Sequence, residues 1–221
     1  MTNIFNRRDF IKTASAVSVS TLLSNAGGLF AAGTETLKIA LVGCGGRGCG
    51  ALEDCLKAAE YLKLTVEIVA LADYFKERAL GAAAKFNVSP DRCFDGVDGY
   101  KKVMATDADV VLLVTPPIFR PVHFAAAVEA GKHVFMEKPI AVDVVGSRRV
   151  METGKLAAAK KLGVVVGAQR HHQADYRKTA YAIANGAIGK IISGQVWWCM
   201  SALWFKTRNE GESDADYLVR N

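Results

Sequence analysis

Short apolar runs recur along the chain, separated by stretches whose apolar residues follow helical spacing. The runs are continuous rather than alternating, which is typical of strands buried on both faces of a parallel sheet. They predict main strands at residues 37–42, 64–71, 110–114, 133–136 and 164–166. A shorter strand is predicted at residues 93–94.

The stretches between these runs predict helices. After residue 48, Leu52, Cys55, Leu56 and Ala59 recur at the spacing of one helix face. Further helices are predicted at residues 74–86, 98–104, 121–130, 142–162 and 176–185. Strands that alternate with helices in this way indicate a parallel sheet covered by helices on both faces.

A glycine-rich segment follows the first predicted strand directly. Its sequence is Gly43-Cys44-Gly45-Gly46-Arg47-Gly48. Gly43 lets the chain turn, Gly45 leaves room for a pyrophosphate at the backbone, and Gly48 lets the next helix pack closely. Asp73 follows the second strand, at the spacing expected for an acid that binds a ribose. This strand–turn–helix–strand–acid order predicts a dinucleotide-binding unit, and the alternative is a glycine-rich turn without a ligand.

The pattern changes near Gln173. Residues 191–200 alternate between apolar and polar positions, and Trp197 and Trp198 lie among them. This predicts one long strand that opens an antiparallel sheet. The predicted fold class is therefore α/β, a Rossmann doubly wound parallel sheet followed by the start of an α+β substrate domain. We expect the dinucleotide-binding domain at residues 34–172 and the beginning of the substrate domain at residues 173–221.

The first 33 residues predict an export signal rather than part of the fold. Residues 6–12 contain the pair Arg7-Arg8 followed by Phe10 and Lys12, which resembles the twin-arginine motif, and residues 13–34 carry no charge. The uncharged stretch is rich in Ala, Ser and Gly, so we do not expect stable membrane insertion. The expected location is periplasmic, by the twin-arginine route, and the alternative is a disordered tail.

Composition narrows the possible functions. Hydrophobic residues make up 51% of the chain, so it can bury a substantial core. The formal net charge is +6, but basic residues are not clustered with aromatic residues, which argues against nucleic-acid binding. The five cysteines lack zinc-site spacing, and the pair His171-His172 has no evident third ligand, so no metal site is expected.

Ligands of open α/β sheets bind beyond the carboxyl ends of the strands. The segments just past the predicted strand ends should therefore form one continuous cleft. These five segments are residues 43–48, Asp73, residues 115–117, residues 137–139 and residues 169–172.

Several of these segments together resemble the Gfo/Idh/MocA oxidoreductase family. The resemblance rests on the glycine segment, on Thr115-Pro116-Pro117 with His123, and on residues 130–134 followed by Glu137-Lys138-Pro139. It covers roughly residues 37–200. The family includes glucose–fructose oxidoreductase and inositol dehydrogenase, so the resemblance implies an NAD-dependent enzyme that acts on a sugar or polyol.

The resemblance also implies particular roles. Lys138 would be catalytic, hydrogen-bonded to the reacting hydroxyl of the substrate, and the alternative is a solvated lysine before a proline. Glu137 would brace the cofactor or the lysine, Arg170 would lie near the nicotinamide, and His123 would be structural. The residues expected to bind NAD are Gly43, Cys44, Gly45, Gly46, Arg47, Gly48, Asp73, Thr115, Pro116, Glu137 and Arg170.

Members of this family usually run well past 221 residues, and their second domain supplies a further aspartate and histidine. No histidine follows residue 172 here, so the chain is expected to be the N-terminal part of a longer protein, homo-oligomeric at full length. Two other functions stay open. One is an NAD-dependent glycoside hydrolase that works by transient oxidation, and the other is a non-catalytic nucleotide-binding protein.

Overall fold

The computed structural model of the protein describes residues 36–199 and 206–220. The export signal expected at residues 1–33 lies outside the described residues. Within them, the chain forms one parallel sheet with helices on both of its faces, and the carboxyl ends of its strands meet along one edge.

The sheet has six strands in the order β3-β2-β1-β4-β5-β6, and all neighbours are parallel. This is the order of the doubly wound dinucleotide-binding fold, which confirms the predicted fold class. The strands are β1 (Leu37–Val42), β2 (Val66–Asp73), β3 (Cys93–Asp95), β4 (Val110–Leu113), β5 (His133–Met136) and β6 (Val164–Val166).

The expected helices form, with ends that differ by a few residues. They are α1 (Gly46–Leu62), α2 (Lys76–Phe86), α3 (Gly99–Met104), α4 (Arg120–Glu129), α5 (Val144–Ala159) and α7 (Ala174–Ala184). Three short elements were not predicted, a 3-10 turn at Pro90–Arg92, α6 (Gln169–His172) and α8 (Asp214–Arg220). Each is too short to show a helical period in the sequence.

The side chains of successive β1 residues pack into two separate hydrophobic cores, one on each face of the sheet. Ile39 and Leu41 are fully buried in the core that includes α1 and α2. Ala40 and Val42 are buried in the opposite core, with α3, α4 and α5. Because side chains alternate across a strand, the four apolar residues 39–42 need helices on both faces of the sheet.

The prediction of a long strand at residues 191–200 is wrong for the residues of this segment that the structure describes. Residues 191–199 are not a strand, and Met200 lies outside the described residues. Val196 is 94% exposed and Trp197 is 78% exposed. A strand gains its stability from ladder hydrogen bonds and cross-strand side-chain pairs, and no described strand lies beside this segment to supply them.

Within the described ranges, no helix has the length and hydropathy that a membrane span requires. The same residues contain no group of three or more His, Cys, Asp or Glu side chains that could hold a metal ion.

His123 lies at the core side of α4 and is 6% exposed. Its Nδ1 is 3.1 Å from the Thr115 hydroxyl oxygen, and its ring centre is 4.2 Å from that of Tyr100 and 5.9 Å from that of Phe119. This contact is consistent with the structural, hydrogen-bonding role expected for His123, which stays a prediction. Burial, with a smaller effect from the nearby Arg120 charge, lowers the pKa of His123 from 6.5 to about 4.

The lowered pKa of His123 makes stability depend on pH. Between about pH 6.5 and 4 the unfolded chain binds a proton at His123 that the folded chain does not, so stability falls as the pH falls. The full effect is on the order of 3 kcal/mol. In urea unfolding at pH 7 and pH 4.5, His123→Gln should lose less stability between the two pH values than the parent. The exposed control His171→Gln should behave as the parent, and an unchanged pH dependence in His123→Gln would contradict this account.

Candidate functional site

One cleft runs along the carboxyl edge of the sheet, with a volume of about 1220 Å³. All five segments expected to meet there contribute to its walls, which confirms the expectation. The lining residues from these segments are Gly43, Gly45, Arg47, Asp73, Thr115, Pro116, Pro117, Glu137, Lys138, Pro139, Gln169 and His172.

The glycine-rich segment at residues 43–48, called the glycine turn below, brings α1 against the end of β1. Gly43 has a φ of +100°, and a Cβ on it would lie 2.6 Å from the Val114 carbonyl carbon. A Cβ on Gly48 would lie 1.7 Å from the Gly43 carbonyl oxygen. Since real Cβ atoms do not approach backbone so closely, both positions require glycine in this packing.

The start of α1 is open toward the cleft. A Cβ on Gly45 or on Gly46 would meet no atom within 4 Å. No side chain caps the helix, and no acidic residue lies in its first turn. The free backbone N–H groups and the positive end of the helix dipole therefore suit a phosphate group in that space.

Asp73 is held in place at the end of β2. It is 8% exposed; its Oδ2 accepts a hydrogen bond from the Cys44 backbone N–H at 2.7 Å, and its Oδ1 accepts from the Phe75 N–H at 3.0 Å. A carboxylate has about four acceptor sites, so both oxygens keep capacity for ribose hydroxyl donors. Arg78, which sequence reasoning missed, also lines the cleft, with its guanidinium 4.5 Å from the centre of the Phe75 ring.

Cys44 connects the glycine turn to Asp73 through its backbone. Its side chain is 5% exposed, and its Sγ lies 3.3 Å from the Ala72 carbonyl oxygen. Burial, together with the charge of Asp73, raises the pKa of the Cys44 thiol, so the thiol stays protonated. This side chain is a packing residue, and Cys44 is not among the residues that line the cleft, so the cofactor contact expected for it stays a prediction.

An ion pair links the glycine turn to the segment after β5. The Arg47 Nε donates to the Glu137 Oε1 at 2.7 Å, and Arg47 Nη1 lies 3.6 Å from an Asp54 oxygen. This hydrogen bond to Glu137 raises the pKa of Arg47. Glu137 is 7% exposed, and its Oε2 accepts from the Lys138 N–H at 3.2 Å. Glu137 thus braces the lysine backbone, one of the two roles expected for it.

Lys138 is exposed in the cleft wall, and Thr115 and Pro116 also line the cleft. Thr115 also contacts His123 through its hydroxyl. The cleft therefore carries a turn suited to phosphate at α1 and an exposed primary amine at the end of β5.

Arg170 contacts aromatic side chains instead of the cleft wall. Its Nε donates to the Tyr176 hydroxyl at 3.0 Å, and its guanidinium lies 4.3 Å from the centre of the Trp198 ring. Gln169 and His172, from the same short helix, do line the cleft. The cofactor contact expected for Arg170 stays a prediction.

Two further parts of the wall were missed. Arg120, at the start of α4, is 2% exposed and also lines the cleft. Val219 and Arg220 of α8 form another part of the wall, and Arg220 is held by Glu212 through N–O distances of 2.7 and 2.6 Å. Arg120 precedes Pro121 at a helix start, where an arginine ordinarily lies in solvent, so its burial could not be predicted from the sequence.

Residues 37–169 match the family model described as "Oxidoreductase family, NAD-binding Rossmann fold", GFO_IDH_MocA. An inositol 2-dehydrogenase from Burkholderia ambifaria is 31% identical over 157 residues, which cover 70% of this chain and 43% of that relative. Inositol 2-dehydrogenase 3 from Saccharopolyspora erythraea is 32% identical over 154 residues, 70% of this chain and 42% of that protein.

Solved structures show the same architecture. That of an NAD-binding oxidoreductase from Klebsiella pneumoniae superposes with a TM-score of 0.57 and 27% identity, over 70% of this chain and 40% of that one. The chain spans less than half the length of the curated relatives that it matches. The family match covers more than half of the chain and includes the glycine turn, Asp73 and Lys138. The chain therefore belongs to the Gfo/Idh/MocA oxidoreductase family, and its sheet is that family's NAD-binding Rossmann fold.

Proposed function

We propose that the full-length protein is an NAD-dependent oxidoreductase that oxidises a hydroxyl group of a sugar or polyol and is homo-oligomeric. The observation that carries the activity is the single cleft in which the glycine turn, Asp73 and Lys138 meet. The two curated relatives described above are both inositol 2-dehydrogenases, which supports a cyclic polyol or sugar as the substrate class.

The described residues fit NAD along the length of the cleft. The open space above Gly45 and Gly46 suits the pyrophosphate, because nothing lies within 4 Å of the places where their Cβ atoms would be. The fixed Asp73 carboxylate suits the adenosine ribose. The nicotinamide would then extend toward the segments after β4 and β5, where Thr115, Pro116 and Lys138 lie.

Nicotinamide, when bound, supplies the acceptor for a hydride from the substrate carbon. The chain supplies proton handling and orientation. The Lys138 amine can hydrogen-bond the substrate hydroxyl oxygen and hold its proton as the carbon is oxidised. Glu137 fixes the lysine backbone through the Lys138 N–H, and its ion pair with Arg47 ties that segment to the glycine turn.

Lys138→Ala tests the catalytic assignment in the full-length protein. We expect turnover of the polyol or sugar to fall about 100- to 10,000-fold, because the amine acts at the reacting oxygen. NAD affinity, measured by calorimetry, should be nearly unchanged, because the glycine turn and Asp73 provide most of the binding. The matched control is Lys155→Ala, which removes an exposed helix lysine that forms an ion pair with Glu152.

A Lys138→Ala protein that keeps most of the parent's rate would remove Lys138 from the mechanism. Product analysis in the same assay separates the reaction classes. NADH accumulation indicates an oxidoreductase, whereas release of a glycan leaving group without net NADH indicates the glycoside hydrolase.

Asp73 predicts a preference for NAD over NADP. Its carboxylate accepts from ribose hydroxyls, and its charge repels a 2′-phosphate. Arg78 also lines the cleft, so Asp73→Ser should remove the repelling charge while this cation remains, and shift the preference toward NADP. Calorimetric titration of both dinucleotides measures this. Tighter binding of NADP than of NAD by the parent protein would contradict the assignment.

We also propose that the protein is exported to the periplasm by the twin-arginine route. The support is the Arg7-Arg8 pair followed by Phe10, Lys12 and an uncharged stretch. Replacing both arginines by lysine keeps the charge but should leave the precursor in the cytoplasm, as measured by cell fractionation. Equal periplasmic recovery of the double variant and the parent would show that the proposal is wrong.

A further inference from the structure

Arg120 connects the two segments that form the Lys138 end of the cleft. It is 2% exposed, and it is the first residue of α4. One terminal nitrogen of its guanidinium donates to the carbonyl oxygen of Pro139, and the other donates to the carbonyl oxygen of Thr115. Thr115 follows β4 and Pro139 follows β5, so one planar group ties together two neighbouring strand ends.

The backbone around Lys138 is consequently anchored on both sides. On one side, the Glu137 N–H donates to the Leu113 carbonyl at 3.1 Å, and the Glu137 side chain accepts from the Lys138 N–H. On the other side, Arg120 holds the Pro139 carbonyl. The exposed side chain of Lys138 therefore projects from a backbone segment with fixed ends.

Burying the Arg120 guanidinium is costly, because a cation loses hydration there. Its Nε has no hydrogen-bond partner among the described residues. The desolvation lowers the pKa of Arg120, and the negative charge of Glu137 offsets part of that effect. An apolar side chain would fill this position at a lower desolvation cost. The buried guanidinium therefore points to a requirement for the geometry that its two hydrogen bonds impose on Thr115 and Pro139.

We propose that Arg120 is a positioning residue for the reaction, which fixes the distance between the Thr115 segment and Lys138 and so places the lysine amine for catalysis. The proposal rests on the proposed function of the cleft. Arginine is required because its rigid fork reaches two carbonyls at once, whereas lysine carries a point charge on a flexible stem.

Arg120→Lys in the full-length protein tests the proposal, with Arg92→Lys as the matched control. Arg92 makes a 2.7 Å ion pair with Glu67 outside the cleft, at 45% side-chain exposure. We expect Arg120→Lys to lower kcat about 10- to 100-fold, the range expected for a misplaced catalytic group, with KM and NADH affinity nearly unchanged. The control should keep the parent's kcat.

A second measurement does not depend on turnover. NADH bound to the parent should emit at shorter wavelength than free NADH, and in the Arg120→Lys complex the emission should move back toward that of free NADH. This is expected because loosening the two segments admits water to the nicotinamide end while the glycine turn still binds the other end. A merely structural role would lower the melting temperature without moving the emission measured well below it.

A third variant separates geometry from folding. Arg120→Ala should recover part of the lost kcat when guanidinium ion is added at millimolar concentration, and Arg92→Ala should show no such response. Parent-like kcat and emission in Arg120→Lys would overturn the proposal. An equal loss of kcat and of NADH affinity, without rescue, would also overturn it, since Arg120 would then only support the fold.

The outcomes distinguish this proposal from the function on which it rests. If the parent oxidises no sugar or polyol but its NADH emission responds to Arg120→Lys, the proposed reaction fails while the positioning of the segments stands. If the parent is active and neither kcat nor emission responds to the variant, the positioning role fails alone.

Discussion

The close approach of α1 to the end of β1 is the constraint on which the cleft depends. It exists because Gly48 presents no side chain to the Gly43 carbonyl and because Gly43 itself turns with a positive φ against Val114. That packing sets the first turn of α1 at the carboxyl edge of the sheet, with open space beside Gly45. Asp73 then accepts the Cys44 N–H, so the turn and the end of β2 are fixed to one another.

Two arginines, the exposed Arg47 and the buried Arg120, make further contacts across the cleft. Arg47 ties the glycine turn to Glu137, and Arg120 ties the segment after β4 to the segment after β5. Lys138 lies between these contacts, and Glu137 is close to both. Side-chain contacts therefore connect the end of the cleft at the glycine turn to the end at Lys138.

Sequence patterns were sufficient for the sheet and for the segments at its edge. The short apolar runs predicted β1, β5 and β6 with the correct ends, because a glycine or a charged residue follows each run directly (Gly43, Glu137 and Gly167). The strand expected at residues 191–200 is wrong over residues 191–199. Alternating apolar and polar positions indicate a preference for a sheet, but a strand forms only where neighbouring strands pair with it. The contacts of Arg120 could not be predicted from the sequence, because its partners are backbone carbonyl groups, which every residue carries.

The most direct test of the central claim is NAD binding by Gly45→Val in the full-length protein. Gly45 has an extended backbone with φ −69°, and a Cβ there would meet no atom of the protein within 4 Å, so the variant should fold as the parent does. Its side chain would occupy the space assigned to the pyrophosphate. We predict that calorimetry detects no NAD binding to a Gly45→Val protein whose thermal unfolding matches that of the parent. Parent-like NAD affinity in that variant would contradict the account.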